Sequence, residues 1–168
     1  MDSLFFFIKE QYFIDHSDFM KMLDSNDPVK QSHRTYVCVK IDIDDNTFYL
    51  PLRTHLGADV RPFGRIGHSV PSEKRPDAGI DYRYALVIND VEYLESCAVY
   101  KLPNSQRRKI LQDYEEIQAE FKIYLNGYKK TVVKNRLRQE PLYRESSLMN
   151  FNEELNLSEY IKHKAHLW

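Results

Sequence analysis

The sequence predicts an α+β protein in which a strand-rich first half is followed by helices. Apolar and β-branched residues alternate between residues 35 and 52, and a third apolar run covers 84–89. After Pro103 the apolar spacing changes to that of a helix. Strands and helices are therefore segregated along the chain, and no linker divides its 168 residues. We expect a single domain over residues 1–168.

The first half contains the clearest strands. A short buried strand is predicted at 4–8, a helix at 9–23 and a turn at 24–28. Strands at 35–43 and 47–52 flank Asp44-Asp45-Asn46, which favours a β-hairpin. Because Pro51 cannot donate to a ladder, the second strand should end there or run along an edge. Residues 53–82 are polar and irregular, with a strand expected at 63–70.

The second half follows a helical period. Ser105 is the expected N-cap, and Asn126-Gly127 the expected end, of a helix with one apolar stripe of Ile110, Tyr114, Ile117, Phe121 and Tyr124. A second helix is predicted at 128–138, a short edge strand or turn at 146–151, and a final helix at 153–166.

Composition excludes several classes of protein. Apolar residues make up 42% of the chain and charged residues 29%, which argues against disorder and against membrane insertion. Two cysteines form no disulfide framework, so a cytoplasmic location is expected. The sequence contains no Walker A loop, dinucleotide-binding glycine pattern or H-E-x-x-H motif. We expect no cofactor and no metal.

Charge is distributed unevenly along the chain. Residues 1–45 carry five Lys/Arg and nine Asp/Glu, whereas residues 101–145 carry eleven and six. On a helix, Lys130, Lys134 and Arg138 would stack like charges along one face, which a polyphosphate groove would compensate. A solvated helix face is the alternative interpretation, and it remains open.

A second basic group flanks the predicted hairpin. Antiparallel pairing should bring Arg34 beside Arg53, Thr54 and His55 at one rim of the sheet. Metal-free RNA cleavage needs an acid, a base and cations around the phosphorane, which are roles that histidine and arginine fill. The acids Asp42, Asp44 and Asp45 are open to another interpretation, a magnesium cluster. A hairpin turn with flanking acids is the favoured explanation for them.

Short motifs in this order resemble the RNase toxins of type III toxin–antitoxin systems, the ToxN/AbiQ family with its CptN and TenpN relatives. They are Tyr12 and Ile14, Asp27-Pro28, a basic approach to the strand at Tyr36, Phe48-Tyr49-Leu50-Pro51-Leu52 with Arg53-Thr54, the strand at 86–88, and Asn150-Phe151. The resemblance covers nearly the whole chain, and the Y-x-P-L corner followed by a hydroxyl residue is its most specific part.

This resemblance implies a MazF/Kid-like antiparallel β-barrel core with added helices. It also implies a sequence-selective endoribonuclease that leaves 2′,3′-cyclic phosphate ends without metal. Its partner would be a small pseudoknotted antitoxin RNA, which the toxin cuts from a repeat transcript and which inhibits it in a protein–RNA hetero-oligomer. Cellular or phage RNA would be the substrate, and abortive infection the result.

Carried over position by position, the family's hydroxyl residue falls on Thr54 and its basic residue ahead of the strand on Arg34. A family tyrosine is Lys30 here, and Leu56 stands near the position of a family lysine, so that His55 or His68 would replace it. We assign phosphorane stabilisation to Arg34 and Arg53, proton transfer to His55, and positioning to Thr54. The residues assigned to RNA binding are Lys30, Tyr36, His68, Lys130, Lys134 and Arg138.

Three alternatives remain open from the sequence. The first is a non-catalytic RNA-binding module with the same basic faces. The second is a metal-dependent nuclease that uses Asp42 and Asp44. The third is a protein–protein adaptor that uses the helical half.

Overall fold

The computed structural model describes residues 4–23, 37–56, 66–97 and 102–162, and within them it confirms the α+β class. The strands are β1 (Phe5–Ile8), β2 (Cys38–Ile43), β3 (Asn46–Arg53), β4 (Gly67–Ser69), β5 (Gly79–Asp81), β6 (Leu86–Val87) and β7 (Leu94–Ser96). The α-helices in these ranges are α1 (Glu10–Asp15), α2 (Asn104–Gln112), α3 (Tyr114–Val133) and α4 (Ser158–Lys162). None of them is long and apolar enough to cross a membrane.

The strands form one antiparallel sheet in the order β4-β5-β3-β2-β1-β7, with β6 paired to β3. This sheet is open, so the expected closed barrel is wrong. Closure would require the two end strands, β4 and β7, to pair with each other. Each is three residues long and pairs with one strand only among the described residues.

The predicted hairpin is confirmed. Ile43 pairs with Asn46 across a two-residue turn, in which Asp44 has a φ of 53°. Asp and Asn tolerate this left-handed conformation better than most residues, which explains the turn chemistry. Pro51 lies inside β3 rather than at its end. It faces the gap between β6 and β5, where no ladder hydrogen bond is lost.

The helical half covers one face of the sheet. Residues Ile110, Ile117, Phe121 and Tyr124 of the predicted stripe are buried. The Phe121 ring packs edge-on against Phe48 of β3, with 5.1 Å between ring centroids. The single predicted helix is divided at Asp113 into α2 and α3.

The prediction that Asn126-Gly127 ends this helix is wrong, because Gly127 lies inside α3. A Cβ at that position would collide with the hydroxyl of Tyr143, so the glycine permits a close ring approach instead of a stop. The helix predicted at 128–138 ends at Val133, and Asn135 turns the chain with a φ of 58°. Lys130, Lys134 and Arg138 therefore do not stack along one helix.

Other elements are shorter than expected. The helix predicted at 9–23 is only α1, and beyond its end Asn150 bonds to the backbone groups of Met20 that a longer helix would use. Its amide oxygen accepts from Met20 N at 2.8 Å, and its Nδ2 donates to Met20 O at 2.7 Å. The strand predicted at 84–89 is reduced to β6, because residues 82–84 form a 3₁₀ turn. Residues 147–151 also form a 3₁₀ turn, and α4 ends the described chain.

Candidate functional site

A pocket of about 500 Å³ opens at the end of β3. Its walls come from the last residues of β3, from the turn at 72–75 and from the start of α2. Val37, Leu52 and Ala78 contribute apolar surface, and Arg53 and Thr54 lie at the rim that the sequence singled out. We call this cavity the β3 pocket.

Two further cations lie at the β3 pocket on the turn at 72–75. Ser72 and Arg75 bond to each other through both backbone groups, at 3.0 and 3.1 Å, which fixes the turn. Lys74 and Arg75 are exposed there. Among the described residues that line the cavity, Arg53 and these two make three cations, against one acid, Glu73. The balance of charge favours an anionic ligand.

The guanidinium of Arg53 is held in place by Asp81 and by the ring of Tyr84. Its Nη1 donates to Asp81 at 3.0 Å, and its guanidinium carbon lies 5.1 Å from the centre of the Tyr84 ring. Asp81 is fully buried and also accepts two hydrogen bonds from the Arg83 side chain. Because only one of its nitrogens is bonded within the described residues, Arg53 keeps donors for a ligand.

The helix side of the pocket is anchored by an amide. Gln106 of α2 is buried, and its Nε2 donates to the backbone oxygen of Val70 at 2.7 Å. This bond joins the start of α2 to the segment that follows β4. The pocket wall is thus built from elements that are fixed to the sheet rather than from a free loop.

His55 lies next to this pocket but does not line it. Its side chain is 67% exposed, and its Nδ1 is 3.5 Å from a carboxylate oxygen of Asp77. The backbone of Asp77 also accepts from Leu56 N, so the two segments run side by side. The proton-transfer role assigned to His55 stays a prediction.

The expected pairing at this rim is confirmed as far as the structure reaches. Leu52 N donates to Val37 O, so the start of one strand meets the end of the next. Arg34, Lys30 and Tyr36 lie outside the described residues.

His68 lies on the helix-facing side of the sheet, in different surroundings. It is 9% exposed, and both ring nitrogens contact carboxylates. Nδ1 is 2.9 Å from Glu120 and Nε2 is 2.9 Å from Asp113, while the hydroxyl of Tyr82 donates to Glu120 at 2.6 Å. We call His68, Tyr82, Asp113 and Glu120 the His68 cluster. An RNA contact by His68 would compete with these bonds.

The ionisation of the His68 cluster follows from its contacts. Burial lowers the pKa of His68, but hydrogen bonds to Asp113 and Glu120 raise it by more, so the net pKa is above the ordinary value. The pKa of Asp113 is lowered by its bonds to Lys109 and His68. Lys109 Nζ lies 2.8 Å from Asp113, so the cluster ends at an exposed cation.

The other predicted RNA-binding residues lie elsewhere. Lys130 and Lys134 are exposed near the end of α3, and neither lines the β3 pocket. Arg138 lines a second cavity of about 660 Å³ together with Arg144. Asp42 and Asp44 lie in the hairpin, as the favoured explanation of these acids expects, since Asp42 accepts from the Thr47 hydroxyl at 2.7 Å and Asp44 forms the turn.

Several residues of the site were missed by the sequence reasoning. Lys74 and Arg75 lie in the irregular stretch 53–82, where turn chemistry alone marks no ligand. Asp81 carries no local signal for the arginine that it holds, because Arg53 comes from another strand. Glu120 and Asp113 show only helical spacing in the sequence.

Comparison of the chain with known protein families, curated proteins and solved structures finds no match.

Proposed function

We propose that this protein is a metal-independent endoribonuclease toxin that binds and cleaves RNA at the β3 pocket. The observation that supports this most is the placement of Arg53, which is tied to buried Asp81 and faces the same cavity as Thr54. Lys74 and Arg75 line the same cavity and add to its positive charge. Fixed cations around a cavity suit a phosphodiester whose negative charge grows during reaction.

The reaction under this proposal is an internal transfer. The 2′-oxygen of RNA attacks the adjacent phosphorus, the bond to the 5′-oxygen breaks, and a 2′,3′-cyclic phosphate remains. Arg53 would stabilise the phosphorane, together with Arg34 from the segment outside the described residues, and the hydroxyl of Thr54 would position the phosphate or the 2′-oxygen. His55 would transfer a proton, a role for which an imidazole exposed to solvent is suited.

The wider setting of the proposal rests on the type III toxin resemblance. The inhibitor would be a pseudoknotted antitoxin RNA cut from a repeat transcript, and the assembly a protein–RNA hetero-oligomer. The proposed role is phage defence by abortive infection in the bacterial cytoplasm. The open antiparallel sheet would be a relative of the MazF/Kid-like core with its barrel left unclosed.

A non-catalytic RNA-binding module is the second candidate. It is favoured by one observation, that none of the described residues lining the β3 pocket is a histidine. His55 instead faces Asp77. Such a module would keep the cations and the affinity for RNA, but it would release no product.

The deciding experiment is digestion of a mixed-sequence RNA by the purified protein in excess EDTA, with chemical mapping of the product ends. We expect cuts at a recurrent short motif with cyclic phosphate ends. Intact RNA despite tight binding, with or without magnesium, would establish the binding module instead. Cleavage that requires magnesium would point to a metal-dependent nuclease.

Two variants of Thr54 test the assignment of the site. Thr54 is exposed, so both variants should fold. We expect Thr54→Val, which removes the hydroxyl but keeps the shape, to lower the cleavage rate by about tenfold to a hundredfold. Thr54→Ser keeps a hydroxyl and should retain most of the activity. Equal rates for the two variants would remove Thr54 from the mechanism.

A further inference from the structure

We propose that His68, Glu116 and Glu120 bind a divalent transition-metal ion that links β4 to α3. One ligand atom from each of these side chains lies within 4.8 Å of the others. No step of the proposed RNA cleavage uses these residues. The inference therefore concerns a second site, on the helix-facing side of the sheet.

The spacing of the ligands fits a single ion. Glu116 and Glu120 are four residues apart on α3, so they project from the same helix face. Adjacent donors on an ion with bonds of about 2.1 Å are separated by about 3.0–3.4 Å, and opposite donors by about 4.2 Å. His68 Nδ1 and Glu120 are 2.9 Å apart, close to the adjacent-ligand separation. Glu116 is exposed, so its side chain has room to turn toward the other two ligands.

Both buried ligands are supported by outer partners. Asp113 contacts Nε2 of His68 at 2.9 Å and would hold the proton of that nitrogen, while Nδ1 would give up its hydrogen bond to Glu120 and bind the metal through its lone pair. Metal-bound histidines usually donate their other ring N–H to a carboxylate in this way. Glu120 receives the Tyr82 hydroxyl at 2.6 Å, which fixes the second ligand. These contacts distinguish the site from a group of acids on a surface.

The ligand types select among metals. One imidazole and two carboxylates suit Zn²⁺ or Mn²⁺, whereas Mg²⁺ prefers oxygen ligands and water. The ion would lie between a short strand and the first turns of α3, with water completing its coordination on the side of exposed Glu116. Its expected effect is to fasten the helix to the sheet.

Metal titration of two neighbouring variants tests the site. Zn²⁺, Mn²⁺ or Mg²⁺ alone is added to protein previously stripped with a chelator, and binding is followed by calorimetry and by Tm. Glu116→Gln removes a proposed ligand. Glu115→Gln removes the same charge from the adjacent exposed position, which is not one of the proposed ligands. Both changes are at exposed residues, so both proteins should fold.

We expect the unchanged protein and Glu115→Gln to bind one Zn²⁺ or Mn²⁺ per chain with similar Kd, and to gain in Tm. The Kd of Glu116→Gln should be weaker by about tenfold or more. Equal Kd values for the two variants would mean binding at other surface groups, and would overturn the proposal. The absence of saturable binding by the unchanged protein would reduce the site to a hydrogen-bonded cluster. RNA cleavage enters neither measurement, so this result stands apart from the proposed nuclease.

Discussion

The β3 pocket and the His68 cluster use similar side chains in opposite surroundings. In the pocket, cations lie at the protein surface around an open cavity, and Arg53 is 30% exposed at its side chain. In the cluster, an imidazole is enclosed by Glu120 and Asp113, so that its ring nitrogens are already bonded. The first arrangement can accept an anionic ligand from solution, whereas the second holds β4 to the helices, either directly or through the proposed metal ion.

The contrast is sharpest between two histidines from the same irregular part of the sequence. His55 is two-thirds exposed and makes one long contact with Asp77, while His68 is buried between two carboxylates. Residue type alone suggested proton transfer or RNA contact for both. Burial and partners separate a histidine that is available to RNA from one that links β4 to the helices.

The largest expected effect is on stability, from His68→Ala. The change leaves Glu120 and Asp113 without the imidazole that pairs with both, and we expect the free energy of unfolding to fall by about 3 kcal/mol. His55→Ala is the matched control and should change it by less than about 0.5 kcal/mol, because that side chain is exposed. Urea unfolding measures both. Similar losses for the two variants would break the comparison between the regions.

The local elements of the fold could be predicted from the sequence. The hairpin was predictable because turn formers and alternating residues act within a few positions, and the helical stripe because its period is regular. Gly127 misled the prediction of the helix end, because its role depends on contact with Tyr143, which is 16 residues further along the chain. Whether a glycine ends a helix therefore depends on neighbouring elements of the fold, and a local sequence pattern does not contain them.

The site was less predictable than the fold. Arg53 and Thr54 could be identified because they end a recognisable strand, and strand pairing fixes the edge at which they lie. Lys74 and Arg75 depend on a short bridge between Ser72 and Arg75 that has no strong sequence signal. The pairing of His68 with Glu120 joins a strand to a helix 52 positions away, and nothing in local spacing indicates it.

An intermediate effect is expected on RNA binding, and two double variants compare the basic surface of the β3 pocket with that at the end of α3. Lys74→Ala with Arg75→Ala removes two cations from the β3 pocket, whereas Lys130→Ala with Lys134→Ala removes two from the end of α3. Each lost contact with a single-stranded phosphate should reduce the slope of log affinity against log salt by about 0.7. We expect a reduction of about 1.4 for the pocket pair and a smaller one for the α3 pair. Filter binding of a short RNA across salt concentrations gives both slopes.

A larger reduction from the Lys130 and Lys134 pair would reverse the ranking of the two surfaces. It would show that the end of α3, rather than the cavity, carries most of the RNA backbone. The arginines of the second cavity, Arg138 and Arg144, would then be the next residues to change.

The smallest effect on the fold is expected from Asp77→Asn. His55 and Asp77 are both mostly exposed and 3.5 Å apart, so the stability of the protein should change by less than about 0.5 kcal/mol. Cleavage should still respond if His55 transfers a proton, because the Asp77 carboxylate, 3.5 Å from Nδ1, would orient the imidazole ring. We expect a fall of up to about tenfold for Asp77→Asn, against a loss of about a hundredfold or more for His55→Ala. Single-turnover cleavage of a short RNA measures both rates. Unchanged cleavage in both variants would assign the proton transfer to a group other than His55.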